Sequence, residues 1–316
     1  MNKDIDIVVT YLNDRDPVWK AAYDKCKDKE IKKGIIPANS KQAFGVDRMR
    51  DWDTLKYWFR SVEKNCPWVH KIFFVVWGPS QVPEWLDTTN PKLHIVYHNE
   101  FIPSRITPVF CSRPIELYTC KIKDLSDKYI RCNDDCYFLN PVEESMFFRD
   151  GKPILPDNRR PFTPFTVYPD TAAFWQTFNN NMEIEKDFLG DKDYTYGIHH
   201  LQTACDKKFE ESIIKKYGSE ILKRCIYSHF RNQHQYSIFL YDNLERLSGN
   251  AIVDDSIYKN SVYTWLKTDL NYNDLRTKQC VCLNDTDKAN EKFDDIRKQQ
   301  LDFFENMFPD KSSFEK

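Results

Sequence analysis

Glycine is scarce in this chain of 316 residues, with only eight. None is arranged as G-x-G-x-x-G or G-x-x-x-x-G-K, so neither common backbone cradle for phosphate is present and ATP-driven transfer through a P-loop is disfavoured. Long hydrophobic runs are missing as well. No apolar stretch approaches the roughly 20 residues needed to span a bilayer, and Met1-Asn2-Lys3-Asp4 leads straight into a strand-like segment without a secretory pattern. Nor is one sign of charge in surplus: 46 basic side chains face 48 acidic ones, for a net charge of -2. Nucleic-acid binders gain affinity by neutralising phosphates and carry a basic excess, so nucleic acid is not an expected partner.

Cysteine, by contrast, is plentiful at ten. Without an export signal these read as reduced thiols in a cytosol. Two close pairs, Cys132/Cys136 and Cys280/Cys282, could together supply a four-cysteine zinc site, although the second is spaced more tightly than finger ligands usually are. Buried thiols are the simpler expectation. Aromatic residues make up 15% of the chain, an excess that suits core packing and also stacking on sugar rings or nucleobases.

The apolar pattern alternates strand and helix. Ile5 to Leu12 is β-branched and reads as a buried strand. Asp16-Pro17 looks like a helix cap followed by proline at the first helical position. Residues 24–47 read as a mobile surface excursion. Trp52, Leu55, Phe59, Val62 and Cys66 then mark a helix stopped by Pro67, followed by strands at 71–77 and 93–97, a helix at 113–124 and a strand at 128–132. Residues 150–195 show weak periodicity and suggest a variable insertion or ligand-facing loop. Helices at 206–226 and 234–248, a short strand at 281–283 and a helix at 286–308 close the chain. The expectation is a single catalytic α/β domain over 1–316: a mostly parallel, Rossmann-like, glycosyltransferase-A-like sheet with helices on both faces and a helical closing region from 206.

In open α/β sheets ligands bind beyond the carboxyl ends of the strands. The first strand ends in Asn13-Asp14-Arg15-Asp16 and the strand at 128–132 ends in Asn133-Asp134-Asp135. Adjacent carboxylates on a regular strand point to opposite faces, so Asp134 and Asp135 converge only if the chain turns there. If it does, they suit Mg²⁺ or Mn²⁺ on a diphosphate; the plain alternative is a turn or a helix cap. Arg48, Arg50, Arg60, Arg105, Arg113 and Arg231 are available to meet phosphate oxygens. His199-His200 offers a base for a hydroxyl near neutral pH or an inert exposed pair. Glu116 suits either acid/base work or the dipole of the helix it begins.

Several of these segments, in order, resemble the Stealth family of sugar-1-phosphate transferases. The first is Asp6-Ile7-Val8-Val9-Thr10-Tyr11-Leu12-Asn13-Asp14-Arg15-Asp16-Pro17-Val18-Trp19. The strongest runs from Arg48-Met49-Arg50-Asp51-Trp52-Asp53 through Arg60-Ser61, Cys66-Pro67-Trp68-Val69, Pro83-Glu84-Trp85-Leu86-Asp87 and Ser112-Arg113-Pro114-Ile115-Glu116 to Asn133-Asp134-Asp135. A looser block holds His200 and Phe230-Arg231, and a fourth holds Cys282-Leu283-Asn284-Asp285 with the terminal Met307 to Glu315. Departures from the family pattern are Asp14 for a glycine, Trp52 for an asparagine, Tyr118 and Cys120 for histidines, and no proline after the histidine pair. The last leaves the choice between His199 and His200 open.

The resemblance implies displacement at the β-phosphate of a UDP-sugar by a hydroxyl of an oligosaccharide or lipid-linked glycan, with UMP leaving. It implies that Asp134 and Asp135 hold Mg²⁺ or Mn²⁺, that Arg231 neutralises phosphate and that His200 is the base. Glu116 would be a second acid/base or acceptor-binding group. Asn13, Asp16, Arg50 and Asp51 would shape the nucleotide-sugar pocket, and Arg113 would bind substrate as well. The expected location is the cytoplasm, with peripheral association with the inner membrane compatible with such an acceptor. The rival readings are a metal-dependent glycosyltransferase that releases UDP and, from another class, a non-catalytic cysteine-rich metal-binding module.

Overall fold

The computed structural model of the chain describes residues 4–157, 160–163, 172–190, 194–196, 200–237, 239–255 and 258–316. In chain order its main elements are β1 (Ile5–Thr10), α1 (Pro17–Lys32), α2 (Leu55–Asn65), β2 (Ile72–Val76), β3 (Leu93–Tyr97), α3 (Ser112–Tyr118), β4 (Lys128–Asn133) and β5 (Cys136–Phe138). They continue with α4 (Ala172–Leu189), β6 (Thr203–Asp206), α5 (Lys207–Cys225), α6 (Phe239–Ser248), β7 (Ser261–Trp265), β8 (Cys280–Asn284) and α7 (Phe293–Met307).

The central sheet has the order β6-β4-β1-β2-β3. Its four strands β4, β1, β2 and β3 run parallel, and β6 closes one edge antiparallel to β4. Both faces are covered, which is why the strands read as continuous apolar runs. Side chains alternate between two cores: Ile5, Ile7 and Val9 join Ile72, Phe74 and Val76 on one side, while Val8 joins Phe73 and Val75 on the other. The first core is sealed by α2 and α7, through Leu55, Phe59 and Val62 and through Ile296, Phe303 and Phe304. Leu117, Ile213, Ile221, Leu240 and Leu244 of α3, α5 and α6 seal the second. The expected α/β class with a mostly parallel sheet holds.

Three local features differ from the sequence reading. Residues 24–47 are not an excursion: α1 runs on to Lys32, Ile36 and Ala43 are buried with Trp19 and Tyr23, and buried Glu30 accepts from Ser228 Oγ at 2.6 Å and His229 N at 2.8 Å. The region 150–195 contains the 18-residue helix α4. Its inner face is partly polar, with Asn180 Nδ2 donating to the carbonyls of Gln233 and Gln235 and Asn181 bonded to Ser237, so its hydrophobic periodicity is faint. Finally, the closing region from 206 holds more strand than the short one expected at 281–283. β7 and β8 pair in parallel there, and β8 pairs antiparallel with β5 in a second sheet of order β7-β8-β5.

That second sheet positions the site. Asp134 and Asp135 form the turn between β4 and β5, at the junction of the two sheets, and the Asp135 carbonyl accepts from Leu283 N of β8 at 2.9 Å. β1 and β4 are neighbours whose connections leave in opposite directions, which makes the space beyond their carboxyl ends the topological switch point where α/β sheets bind ligands.

Candidate active site

A cleft of about 330 Å³ opens at this switch point. One wall is acidic: Asp51, Asp134, Asp135 and Asp285 all line it. The turn after β4 supplies the convergence that a straight strand would deny to Asp134 and Asp135. Burial, then the charges of Asp135 and Asp51, push the Asp134 carboxyl well above its usual range, and it has no ion pair among the described residues. Burial likewise raises Asp135 to about 6, against the hydrogen bonds it accepts from the Cys136 and Cys282 thiols, with Asp285 adding repulsion. Asp51 accepts from the Tyr11 hydroxyl and from Arg15, each at 2.9 Å. Asp285 is gripped by both arms of Arg50, at 2.8 and 2.5 Å. Burial still raises both of these carboxyls.

A second group of lining residues is cationic. Arg48, Arg113 and Arg231 come from a short 3-10 turn, from α3 and from the loop after α5. Burial, followed by the charges of Arg231 and Arg48, brings Arg113 down to about 9. Burial and Arg231 lower Arg48. Glu116, one turn along α3 from Arg113, also lines the cleft; burial raises its carboxyl against the pull of Arg131, Arg231 and Arg113. His200 sits beside these arginines, packed edge-on against Phe239 at 5.3 Å and stacked on Tyr263 at 5.4 Å. Burial, then Arg231 and Arg48, hold its imidazole down at about 4, so it is neutral at pH 7 and able to accept a proton.

The cleft thus gathers Arg50, Asp51, Arg113, Glu116, Asp134, Asp135, His200 and Arg231 from across the sequence. His199 lies outside the described residues. Asn13 and Asp16 are not among the residues lining the cleft. Asp16 caps α1, accepting from Val18 N at 2.9 Å, and its other oxygen takes Ser80 Oγ at 2.6 Å and Gln81 Nε2 at 2.8 Å. Asn13 Oδ1 accepts from Arg15 N at 2.9 Å. Both side chains shape the β1–α1 turn.

The four-cysteine set does not assemble among the described residues. Cys136 and Cys282 are paired across β5 and β8, and their sulfurs and an Asp135 oxygen lie within 4.8 Å of one another. All ten cysteines are free thiols, and burial raises those of Cys132 and Cys282 well above the ordinary value.

The chain is similar to Stealth protein conserved region 2 over residues 48–154 and to Stealth protein conserved region 4 over residues 273–316. It is 32% identical to the capsular polysaccharide phosphotransferase WcwK of Streptococcus pneumoniae, over 99% of this chain and 98% of that one. The chain belongs to the Stealth family. Other relatives of the Stealth chain are the exopolysaccharide phosphotransferase cps2G of Lactiplantibacillus plantarum, 26% identical over 99% of this chain and 96% of that one, and the receptor polysaccharide phosphotransferase WefC of Streptococcus oralis. WefC is 37% identical over 60% of this chain and 53% of its own. With such relatives over its full length, the Stealth chain is an enzyme, a phosphotransferase. No described helix of it is long and apolar enough to cross a membrane.

Among the cleft residues of the Stealth chain that escaped the reading of the sequence as site residues are Asp285, Arg131 and Asn284. Asp285 and Asn284 carried a signal, the Asn-Asp at the end of the last strand, which repeats the Asn-Asp after β4. Arg131 carried none, because its position inside a strand reads as core. Its guanidinium is buried between Asp242 at 3.2 Å and Glu210 at 3.6 Å. Chemically the two walls divide the work: the arginines can hold an anion such as a diphosphate, the carboxylates a hard divalent cation, with a proton-accepting imidazole beside them.

Proposed function

We propose that the chain transfers a sugar-1-phosphate from a UDP-sugar to a hydroxyl of an oligosaccharide or lipid-linked glycan, in the synthesis of a capsular or extracellular polysaccharide. The observation that carries this reading is the division of one cleft at the sheet's switch point into a carboxylate wall and an arginine wall, with the neutral His200 imidazole on the arginine side. It is supported by the names of the relatives, all phosphotransferases of bacterial polysaccharides.

The acceptor hydroxyl attacks the sugar-bearing β-phosphorus, the bond from that phosphorus to the bridging oxygen breaks, and UMP leaves with the bond's electron pair. His200 takes the hydroxyl proton. Arg48 and Arg231 neutralise diphosphate oxygens and the charge that develops on UMP. Binding of that anion offsets the two arginine charges that depress His200, so the base strengthens as the substrate arrives. Mg²⁺ or Mn²⁺ held by Asp134 and Asp135 would supply further neutralisation of the diphosphate, and the crowded, raised carboxyls there suit such an ion. Arg50 positions Asp285 beside them, Asp51 shapes the nucleotide-sugar pocket, and Arg113 and Glu116, both in the cleft lining, meet substrate from α3. The enzyme works in the cytoplasm, where nucleotide sugars are held, with peripheral contact to the inner membrane when the acceptor is lipid-linked.

The decisive experiment is product analysis with UDP-N-acetylglucosamine, Mg²⁺ and mixed oligosaccharide acceptors, followed by other UDP-hexoses. UMP with a phosphodiester-linked product is the expected outcome. Release of UDP would mean cleavage at the anomeric carbon and a glycosyltransferase instead.

A further inference from the structure

Among the large hydrophobic side chains of the described residues, Trp265 is conspicuously exposed, at 52%, although an indole of this size is ordinarily well covered. It lies at the carboxyl end of β7, the edge strand of the second sheet. In parallel register it pairs with Asn284, and Asn284 lines the cleft. Residues two apart on a strand share a face, so Tyr263 points the same way, and its ring meets that of Trp265 edge-on at 5.4 Å. Tyr263 in turn stacks on His200, and its hydroxyl accepts from Asn284 Nδ2 at 3.0 Å. Val262, on the opposite face, packs against the main core. A continuous aromatic track therefore leads from His200 through Tyr263 to an open indole outside the cleft mouth.

We propose that Trp265 and Tyr263 form an acceptor subsite, on which pyranose rings of the growing glycan stack and so bring the attacking hydroxyl to His200. This rests on the phosphotransfer reading above. The occupant follows from position and surface. The track starts at the base, the place where an acceptor and not the nucleotide must enter, and it ends in open solvent, which suits a chain longer than one sugar. Aromatic faces match the C–H faces of a pyranose, while the ring edges and Asn284 leave polar groups for its hydroxyls. An exposed aromatic surface continuous with a binding cleft is the kind of patch that marks a ligand site.

The test is Trp265→Ala and Trp265→Phe, assayed with oligosaccharides graded from disaccharide to octasaccharide from the polysaccharide of the strain that carries the chain. Trp265→Ala should raise the acceptor KM about tenfold for the longer oligosaccharides and less for the disaccharide, with the donor KM within twofold of wild type. Trp265→Phe should recover part of the loss. Saturation-transfer NMR of the same oligosaccharides should show ring-proton contacts that Trp265→Ala removes. This readout needs no turnover: if wild type released UDP, the phosphotransfer reading would fall while the subsite could still be seen. Equal acceptor KM and equal saturation transfer in wild type and Trp265→Ala overturn the subsite. So does a defect confined to acceptors presented on phosphatidylglycerol vesicles, which would assign the indole to a membrane surface.

Discussion

The two walls of the cleft carry opposite charge but are built in different ways. The acidic wall stands largely on strand ends: Asp134 and Asp135 occupy the turn between β4 and β5, and Asp285 follows β8. Its spacing is set by hydrogen-bonded sheets. The arginine wall is collected from a 3-10 turn, a helix and a loop, held by packing between them. Partners differ too. Asp51 and Asp285 already have cations of their own, Arg15 and Arg50, whereas Asp134 and Asp135 crowd each other with no ion pair among the described residues. Like charges forced together in a buried place are costly, and on the function proposed above a divalent cation offsets them. Under the proposed function, residues fixed at strand ends by sheet hydrogen bonds hold the ion, and residues gathered from a turn, a helix and a loop meet the diphosphate.

The largest expected effect comes from removing an acid that has no ion pair among the described residues. Asp135→Asn should lower kcat by about a thousandfold or more, with circular dichroism unchanged. Since the folded-state pKa of Asp135 is raised to about 6, its ionised form is the one that folding disfavours. Its cost to stability is present above that pH and fades as pH falls through it. Asp135→Asn should therefore melt above wild type at pH 7 without added cation, the gap closing below pH 6. In wild type, kcat/KM should fall as pH drops through about 6, and saturating Mg²⁺ should move that limb to lower pH. A limb that ignores Mg²⁺ would erase the distinction between the walls.

On the other wall, His200→Ala should cost about a hundredfold to ten-thousandfold in kcat. Arg231→Ala should lower kcat/KM and let the His200 pKa rise from about 4, which NMR titration of its ring protons would follow. A stationary His200 would mean that burial and Arg48, without Arg231, set its state.

Next is Arg50→Ala, which strands Asp285 half-buried and should destabilise the fold by about 3 kcal/mol in urea unfolding. The smallest effect belongs to Asp16→Ala: loss of the α1 cap should cost about 1 kcal/mol, with donor KM little changed. A large rise in donor KM would return Asp16 to the substrate site.

How legible was all this in the sequence? The parallel strands were, because burial on both faces leaves long β-branched runs such as Ile5-Asp6-Ile7-Val8-Val9. The helix α4 was not, since its buried Asn180, Asn181 and Glu185 satisfy loop carbonyls and side chains and break the apolar stripe. Helix α2 begins at Leu55, later than the apolar pattern from Trp52 suggested, because Asp53 takes a φ of +60° and its carboxylate is drawn to Arg15 and Arg297. Asp134 and Asp135 could be named from their place after a strand, but their convergence depended on a turn that local sequence left undecided.

By itself, then, the sequence determined the class of fold, the edge of the sheet that carries the cleft, the residue types available there and the family. These are local or periodic properties, written in neighbouring residues. Tertiary structure alone decided which charges meet. Asp285 lies some 150 residues beyond Asp135 in the chain yet feels its charge. Arg50 reaches across 235 residues to hold Asp285, and Tyr263 reaches His200 from another sheet. Such pairings follow from strand order and from the junction of two sheets, and neither is encoded in any short stretch of chain.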